Sequence, residues 1–306
     1  MLESEILNST IKYTRVNSKK ATHFAICKRN KIRYFISLKD GKRRLADNLS
    51  SYSNKLNILM KMIRFIPFRL LELLKIGYFI EATFCDEVGH FIKNTSCDNV
   101  YWNVIVGTYD DKQKIVVQLW DMNNGFNKYY KIGNKSTNKE MLAEMSFLKD
   151  SNKYKSFCIP RLIDSQKIQD GYDFNIQLTE EFVGKKVEAT ITEDIYSIFK
   201  EIIGSRAIKY VNEIPYGFSH GDFTPWNMKK QNDKYILFDW EHCGVRFYGF
   251  DLIHYIFNIE FRLNGRTKEE SILKAVEETK KKEILLDKIS STELINLYFD
   301  EFYGEL

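Results

Sequence analysis

Two apolar runs separated by a short polar stretch open the hydrophobic pattern of the chain. The runs THFAICK (22–28) and IRYFISL (32–38) flank the polar Arg29-Asn30-Lys31, and both are rich in β-branched and aromatic residues, which predicts a β-hairpin. The pattern then becomes helical. NKLNILMKMIRFIPFRLLELLKIGYFI (54–80) reads as two helical pieces broken at Pro67. From residue 99 the pattern returns to strands: VYWNVIVGT (100–108), KIVVQLWD (114–121) and FNKYYKIG (126–133), with Asn123-Asn124-Gly125 as a tight-turn signal. TNKEMLAEMSFLKD (137–150) has helical spacing, with Met141, Leu142, Met145 and Leu148 on one side. DFNIQLTEEFVG (173–184) is a further strand ending in glycine. TEDIYSIFKEIIGSRAIKYVNE (192–213) reads as one long helix capped by Thr192, and the stretch after residue 241 as mostly helical. The expected fold class is therefore α+β, with strands and one main helix, a hinge, and then a helical body.

At 306 residues, 44% hydrophobic and 28% charged, the chain can bury a large core and has a globular composition. A net charge of +5 suits an anionic substrate without the concentrated basic face that nucleic acid needs, so no nucleic-acid partner is expected. Five dispersed cysteines with no CxxC pair point to a reducing cytoplasm and away from structural zinc. MLESEILNSTIKYTRV lacks the apolar core of a signal peptide, and no run of about 18 apolar residues marks a membrane span. Residues 55–76 carry Lys55, Lys61, Arg64, Arg69 and Lys75 against Glu72 alone. Packing on the following domain is the favoured reading of this basic, apolar helical pair; peripheral contact with an anionic surface at the inner membrane face is the alternative.

Two acidic clusters change the picture. FSHGDFTPWN (218–227) places His220, Gly221, Asp222 and Asn227 in one short loop, and YILFDWEHCG (235–244) follows with Asp239 and Glu241. Phosphoryl transfer from ATP demands a carboxylate to orient the attacking hydroxyl, oxygen ligands to hold Mg²⁺ against the phosphates, and a lysine to neutralise phosphate charge. Mg²⁺ prefers a few hard oxygens completed by phosphate and water. Asp222, Asn227 and Asp239 supply that inventory. The spacing of Asp222 and Asn227 lets one loop present both, and Asp239 follows the apolar YILF at a strand end.

HGDFTPWN resembles the HGDxxxxN catalytic loop of the aminoglycoside phosphotransferase and choline kinase superfamily, a branch of the protein-kinase-like fold, and FDWE resembles its metal-binding segment. The resemblance covers residues 99 to 260 and implies a bilobal fold: an N-terminal extension over 1–98, a β-rich N-lobe over 99–180, and a helical C-lobe over 181–306. It implies Asp222 as the catalytic aspartate, Asn227 and Asp239 as Mg²⁺ ligands, Glu241 near a second metal, and Asp251 bracing the catalytic loop. His220 supports that loop by hydrogen bonding. Lys131 takes the phosphate-contacting position, with Lys128 as its rival; Glu144 would fix Lys131, with Glu140 as the rival. The loop from Gly107 to Lys114 would cover the phosphates although it lacks G-x-G-x-x-G, and the backbone of Glu181 and Val183 would meet the adenine edge.

The implied activity is an ATP- and Mg²⁺-dependent kinase acting on a hydroxyl of a small molecule or glycan. An extra N-terminal segment and a compact C-lobe resemble bacterial kinases of surface-polysaccharide or lipopolysaccharide assembly, which implies a sugar or lipopolysaccharide-type intermediate as acceptor. An aminoglycoside acceptor would call for an acid-lined site, and the C-terminal region is mixed in charge. A choline or ethanolamine acceptor would be boxed by aromatics, for which Trp226, Trp240, Phe247 and Tyr248 are candidates and core burial the alternative. A kinase fold that has lost catalysis and serves as a scaffold is the third reading; survival of Lys131, Asp222, Asn227 and Asp239 argues against it.

Overall fold

The computed structural model describes residues 5–42, 65–96, 100–121, 127–150, 154–170, 172–180 and 184–304. The chain divides into two compact units, residues 1–141 with 161–181 and residues 142–160 with 182–306.

The first unit is built on one nine-stranded antiparallel sheet. Its strands are β1 (Ile11–Arg15), β2 (His23–Lys28), β3 (Lys31–Ser37), β4 (Gly77–Phe84), β5 (Val100–Val106), β6 (Lys114–Asp121), β7 (Asn127–Gly133), β9 (Leu162–Asp170) and β10 (Tyr172–Glu180); β8 (Phe157–Cys158) belongs to the second unit. Their spatial order is β1-β4-β2-β3-β5-β6-β7-β10-β9. The β2–β3 hairpin forms as the sequence predicts, and Arg29 and Asn30 at its tip take positive φ. Pairing of β3 with β5 carries the sheet across residue 98, so one sheet spans the division expected there.

Alternation along the strands sorts the apolar residues onto both faces. Ala25, Phe35, Ile80, Val104, Val117 and Tyr130 face one core with Ile6 and Leu7 of α1 (Glu5–Thr10). Val88, Phe91 and Ile92 of the next long helix, Asp86–Thr95, join the same core. Phe24, Ile26, Ile36 and Phe79 face the other way, with Leu71 from α2 (Phe68–Leu73). That helix begins just after Pro67, as predicted, and stops where Lys75 takes a φ of 56°. The run GYFI at its end belongs to β4 instead, and residues 55–64 lie outside those described. The Asn123–Gly125 turn also lies outside them.

The second unit carries two small sheets. One orders β11 (Lys185–Lys186), β14 (Met228–Gln231), β15 (Lys234–Leu237) and β8 (Phe157–Cys158); the other orders β12 (Lys209–Val211), β13 (Ile214–Ser219) and β16 (Gly244–Phe247). The helix predicted over 192–213 starts on Thr192, whose hydroxyl accepts from the Ile195 N–H, but it ends at Ile203. Gly204 and Ser205 interrupt it, and Lys209–Val211 turns back through Asn212 and Glu213, both at positive φ, to pair with β13. Helices Phe250–Asn258, Lys268–Lys282 and Ser291–Tyr303 complete the unit, matching the helical C-terminus expected. All nine residues of Phe250–Asn258 are buried, which makes it the core helix.

The α+β fold class is thus present, with strands concentrated in the first unit and helices in the second. Among the described residues no helix is long and apolar enough to cross a membrane, and Cys27, Cys85, Cys158 and Cys243 form no disulfide.

Candidate active site

The loop that follows β13 is fixed from below by one carboxylate. Asp251, 2% exposed, sits in the first turn of Phe250–Asn258, where the helix N-terminus favours negative charge. Its Oδ1 accepts from Ser219 Oγ at 2.8 Å and from the Gly221 N–H at 3.0 Å, and its Oδ2 accepts from the His220 N–H at 2.8 Å. His220 is fully buried. Its Nδ1 accepts from the Asp222 N–H at 3.2 Å, which leaves Nε2 to donate to the Phe238 carbonyl at 3.1 Å. Burial lowers its pKa, against the opposing pull of Asp251 and Asp222, so the ring serves as a neutral strut.

Gly221 is forced by this geometry. Its φ is +86°, and a Cβ there would lie 2.1 Å from the His242 carbonyl oxygen. Left-handed strain alone costs about 1–3 kcal/mol, and the clash adds to it. Gly221→Ala should therefore lower the urea unfolding midpoint and abolish whatever activity the loop carries; an unchanged midpoint would refute the tight packing of Gly221 on His242.

Asp222 leaves this brace with its side chain 31% exposed. Asn227, in the 3₁₀ turn Pro225–Asn227, donates from Nδ2 to Asp222 Oδ2 at 2.8 Å and to the Asp222 carbonyl at 3.0 Å. His254 Nε2 lies 3.0 Å from Oδ1. Burial alone would raise the pKa of Asp222, but the hydrogen bonds of His254 and Asn227 outweigh it and hold the value at about 2. The folded pKa lies below the usual value near 3.9. The stabilisation is therefore complete above that value and is lost as pH falls through about 2. At neutral pH Asp222 is a carboxylate held by donors on both oxygens.

A second carboxylate group is built by the β14–β15 hairpin. Asn232 and Asp233 turn the hairpin with positive φ, and the chain leaves β15 at Leu237. Asp239 then adopts φ 69° and ψ 57°, a left-handed conformation that a short polar side chain tolerates and that functional sites often store. This bend starts the 3₁₀ turn Trp240–His242. Trp240 anchors it: the indole is fully buried, donates to the Leu237 carbonyl at 3.0 Å and stacks on Phe147 at 3.9 Å. The Trp240 N–H donates to Glu144 Oε1 at 3.1 Å. Oxygens of Glu144, Asp239 and Glu241 consequently lie within 4.8 Å of one another. Three carboxylates so close repel one another unless a cation joins them, and an all-oxygen donor set suits Mg²⁺ or Ca²⁺. His242 Nε2 lies 3.4 Å from Glu241, and that hydrogen bond raises its pKa.

Glu144 stands with Asp239 and Glu241, and its rival Glu140 pairs with Lys114 at 2.9 Å. Lys131 is on β7 in the first unit. Pleating puts it on the face opposite Tyr130 and Ile132, with Val116 and Gln177 as cross-strand partners. Lys128 lies on the core face and donates to the Thr95 carbonyl at 2.7 Å. Gly107 closes the loop to Lys114: its N–H donates to the Lys114 carbonyl at 2.9 Å, and a Cβ would lie 2.6 Å from that oxygen. Arg33 Nη1 donates to the Gly107 carbonyl at 2.8 Å. Glu181 and Val183 lie outside the described residues. The aromatic box is not assembled. Trp240 is buried in a stack with Phe147, Phe247 and Tyr248 are buried edge-to-face with Phe250 and Phe199 respectively, and only Trp226 of the four is half-exposed, beneath the Arg262 guanidinium at 5.4 Å.

Sequence reasoning missed His254. The signal was available one helical turn from Asp251: residues three apart share a helix face, so the helix that braces the loop also presents His254 towards it.

No protein-family profile and no curated protein matches the sequence. Solved structures that match include an amicoumacin kinase in complex with AMP-PNP, Ca²⁺ and Ami, with 14% identity, 65% of this chain and 80% of that chain covered, and a TM-score of 0.40. They also include the apo form of a thermostable mutant of an aminoglycoside phosphotransferase, with 9% identity, 70% of this chain and 92% of that chain covered, and a TM-score of 0.46.

Proposed function

We propose that the chain is a kinase that transfers the terminal phosphoryl group of ATP, with Mg²⁺, to a hydroxyl of a small molecule or glycan. The observation that carries this reading is the construction of the second unit: an ionised aspartate on a braced loop, and a cluster of three carboxylates within 4.8 Å. The likeness of HGDFTPWN and FDWE to the aminoglycoside phosphotransferase and choline kinase superfamily gives those groups their roles.

Asp222 accepts the hydrogen bond of the attacking hydroxyl and then its proton. A pKa of about 2 makes it a weak base. That suits a loose transition state, in which orienting the nucleophile matters more than deprotonating it early. Asp239 and Glu241, with Glu144 beside them, would hold the metal. Asn227 commits its amide nitrogen to Asp222, so its oxygen is the atom left for a cation. Mg²⁺ supplies charge neutralisation to the phosphates when bound. Lys131, on the face of the sheet turned away from the core, is the cation for the phosphates in the first unit, and the Gly107–Lys114 loop their cover.

A sugar or lipopolysaccharide-type acceptor is the preferred class. Loss of the aromatic box removes the side-chain support for a quaternary ammonium acceptor. Ligand that binds only the native state stabilises it by mass action. MgATP should therefore raise the melting temperature more than ATP with EDTA does; equal values at saturating nucleotide would refute the metal assignment. A panel of sugars, glycan intermediates, aminoglycosides and amino alcohols, scored by ATP consumption, then identifies the acceptor.

A further inference from the structure

We infer that His254 is a positioning residue for Asp222, locking the carboxylate in the orientation that receives the acceptor hydroxyl. The inference rests on the reading of Asp222 as proton acceptor.

His254 is 3% exposed and belongs to the same buried helix as Asp251. Its Nε2 lies 3.0 Å from Asp222 Oδ1, and its Nδ1 lies 2.9 Å from the hydroxyl of Tyr298 in Ser291–Tyr303. The ring stacks on Phe250 at 5.7 Å and packs against Phe302 at 5.5 Å. A carboxylate can only accept, so Nε2 carries a proton whenever Asp222 is ionised. His254 therefore donates to Oδ1 while Asn227 donates to Oδ2. The two donors come from different elements, the core helix and the loop itself, and together they remove the rotation about the carboxylate axis that a half-exposed aspartate would otherwise have. A buried histidine needs partners for both nitrogens. Here one of those partners is the group assigned to the chemistry, and the other, Tyr298, fixes the ring from the far side. Holding a reacting group in its productive orientation is worth much of a barrier, and a displacement near 1 Å can cost about 10²-fold.

The probe is MgATP, with water standing in for the acceptor hydroxyl, and steady-state hydrolysis as the readout. His254→Leu removes the donor and should lower kcat about 10- to 100-fold, while KM for MgATP stays within about twofold. His254→Gln keeps an N–H donor and should recover most of the loss; Tyr298→Phe should give a smaller fall in kcat. Because a smaller folded fraction would also lower apparent kcat, rates are referred to active sites counted by MgATP titration, and rescue by glutamine separates the donor from mere packing. In parallel, ¹⁵N-histidine spectra of the wild type should show a proton on His254 Nε2 protected from exchange, and Asp222→Ala should abolish that protection. This arm needs no turnover and holds even if His254→Leu does not fold. If Asp222→Asn loses hydrolysis while His254→Leu keeps full kcat, the inference fails and the proposed function stands. An Nε2 signal unchanged by Asp222→Ala also overturns it.

Discussion

Asp222→Asn is expected to reduce phosphoryl transfer by about 10²- to 10⁴-fold, the range for losing general-base help, while leaving MgATP affinity near that of the wild type. The substitution preserves size but not hydrogen bonding. Both oxygens of Asp222 face donors, His254 Nε2 on Oδ1 and Asn227 Nδ2 on Oδ2. An asparagine must aim its NH₂ at one of them, so it loses the acceptor for the incoming hydroxyl and also one of the bonds that orient it. The loop itself should survive, because Asp251 and His220 hold the backbone through Ser219, His220, Gly221 and Asp222 and not through the Asp222 side chain. Turnover and affinity are read by steady-state kinetics and calorimetry on the same preparation. A parallel loss of both would assign Asp222 to nucleotide binding.

Asp239→Ala is expected to act on the other half of the chemistry. Deleting a hard oxygen from the cluster should weaken metal-dependent nucleotide binding at least about tenfold, the size found for losing even an outer-shell partner of a metal ligand. Affinity for ATP in EDTA should not change. Asp239 has a φ of 69°, so alanine also pays left-handed strain of about 1–2 kcal/mol. Asp239→Asn avoids that penalty, since asparagine tolerates the conformation, and still removes the charge. Calorimetric titration of both variants separates the two effects: a loss of affinity shared by Asn and Ala belongs to the metal, and a fall in melting temperature confined to Ala belongs to the backbone. Wild-type MgATP affinity in Asp239→Asn would remove Asp239 from the metal site.

The groups assigned to the chemistry are legible in the sequence because they sit in short local patterns. His220, Asp222 and Asn227 share one loop, and Asp239 and Glu241 lie at the end of an apolar strand. The turn residues behind the β2–β3 hairpin and the Thr192 cap were equally local. What escaped was set by distance along the chain or by backbone shape. His254 meets Asp222 across 32 residues, and Tyr298 meets His254 across 44. Ser37 receives its buried partner from Asn103, 66 residues on, which is why residues 1–98 read as an extension when their strands complete the sheet. Glu144 was placed by its helix spacing. Its contact with the Trp240 N–H depends on the left-handed bend at Asp239, and nothing in FDWE announces that bend.

The claim that Asp222 drives phosphoryl transfer from MgATP is tested most directly by following the γ-phosphate by ³¹P NMR with the acceptor panel, in the wild type and in Asp222→Asn side by side. The account predicts loss of the γ signal and growth of a phosphoester or free phosphate signal in the wild type, and a rate lower by about 10²-fold or more in the variant. A wild type that binds MgATP yet leaves its γ-phosphate intact with every acceptor, or a variant that matches the wild-type rate, would contradict it.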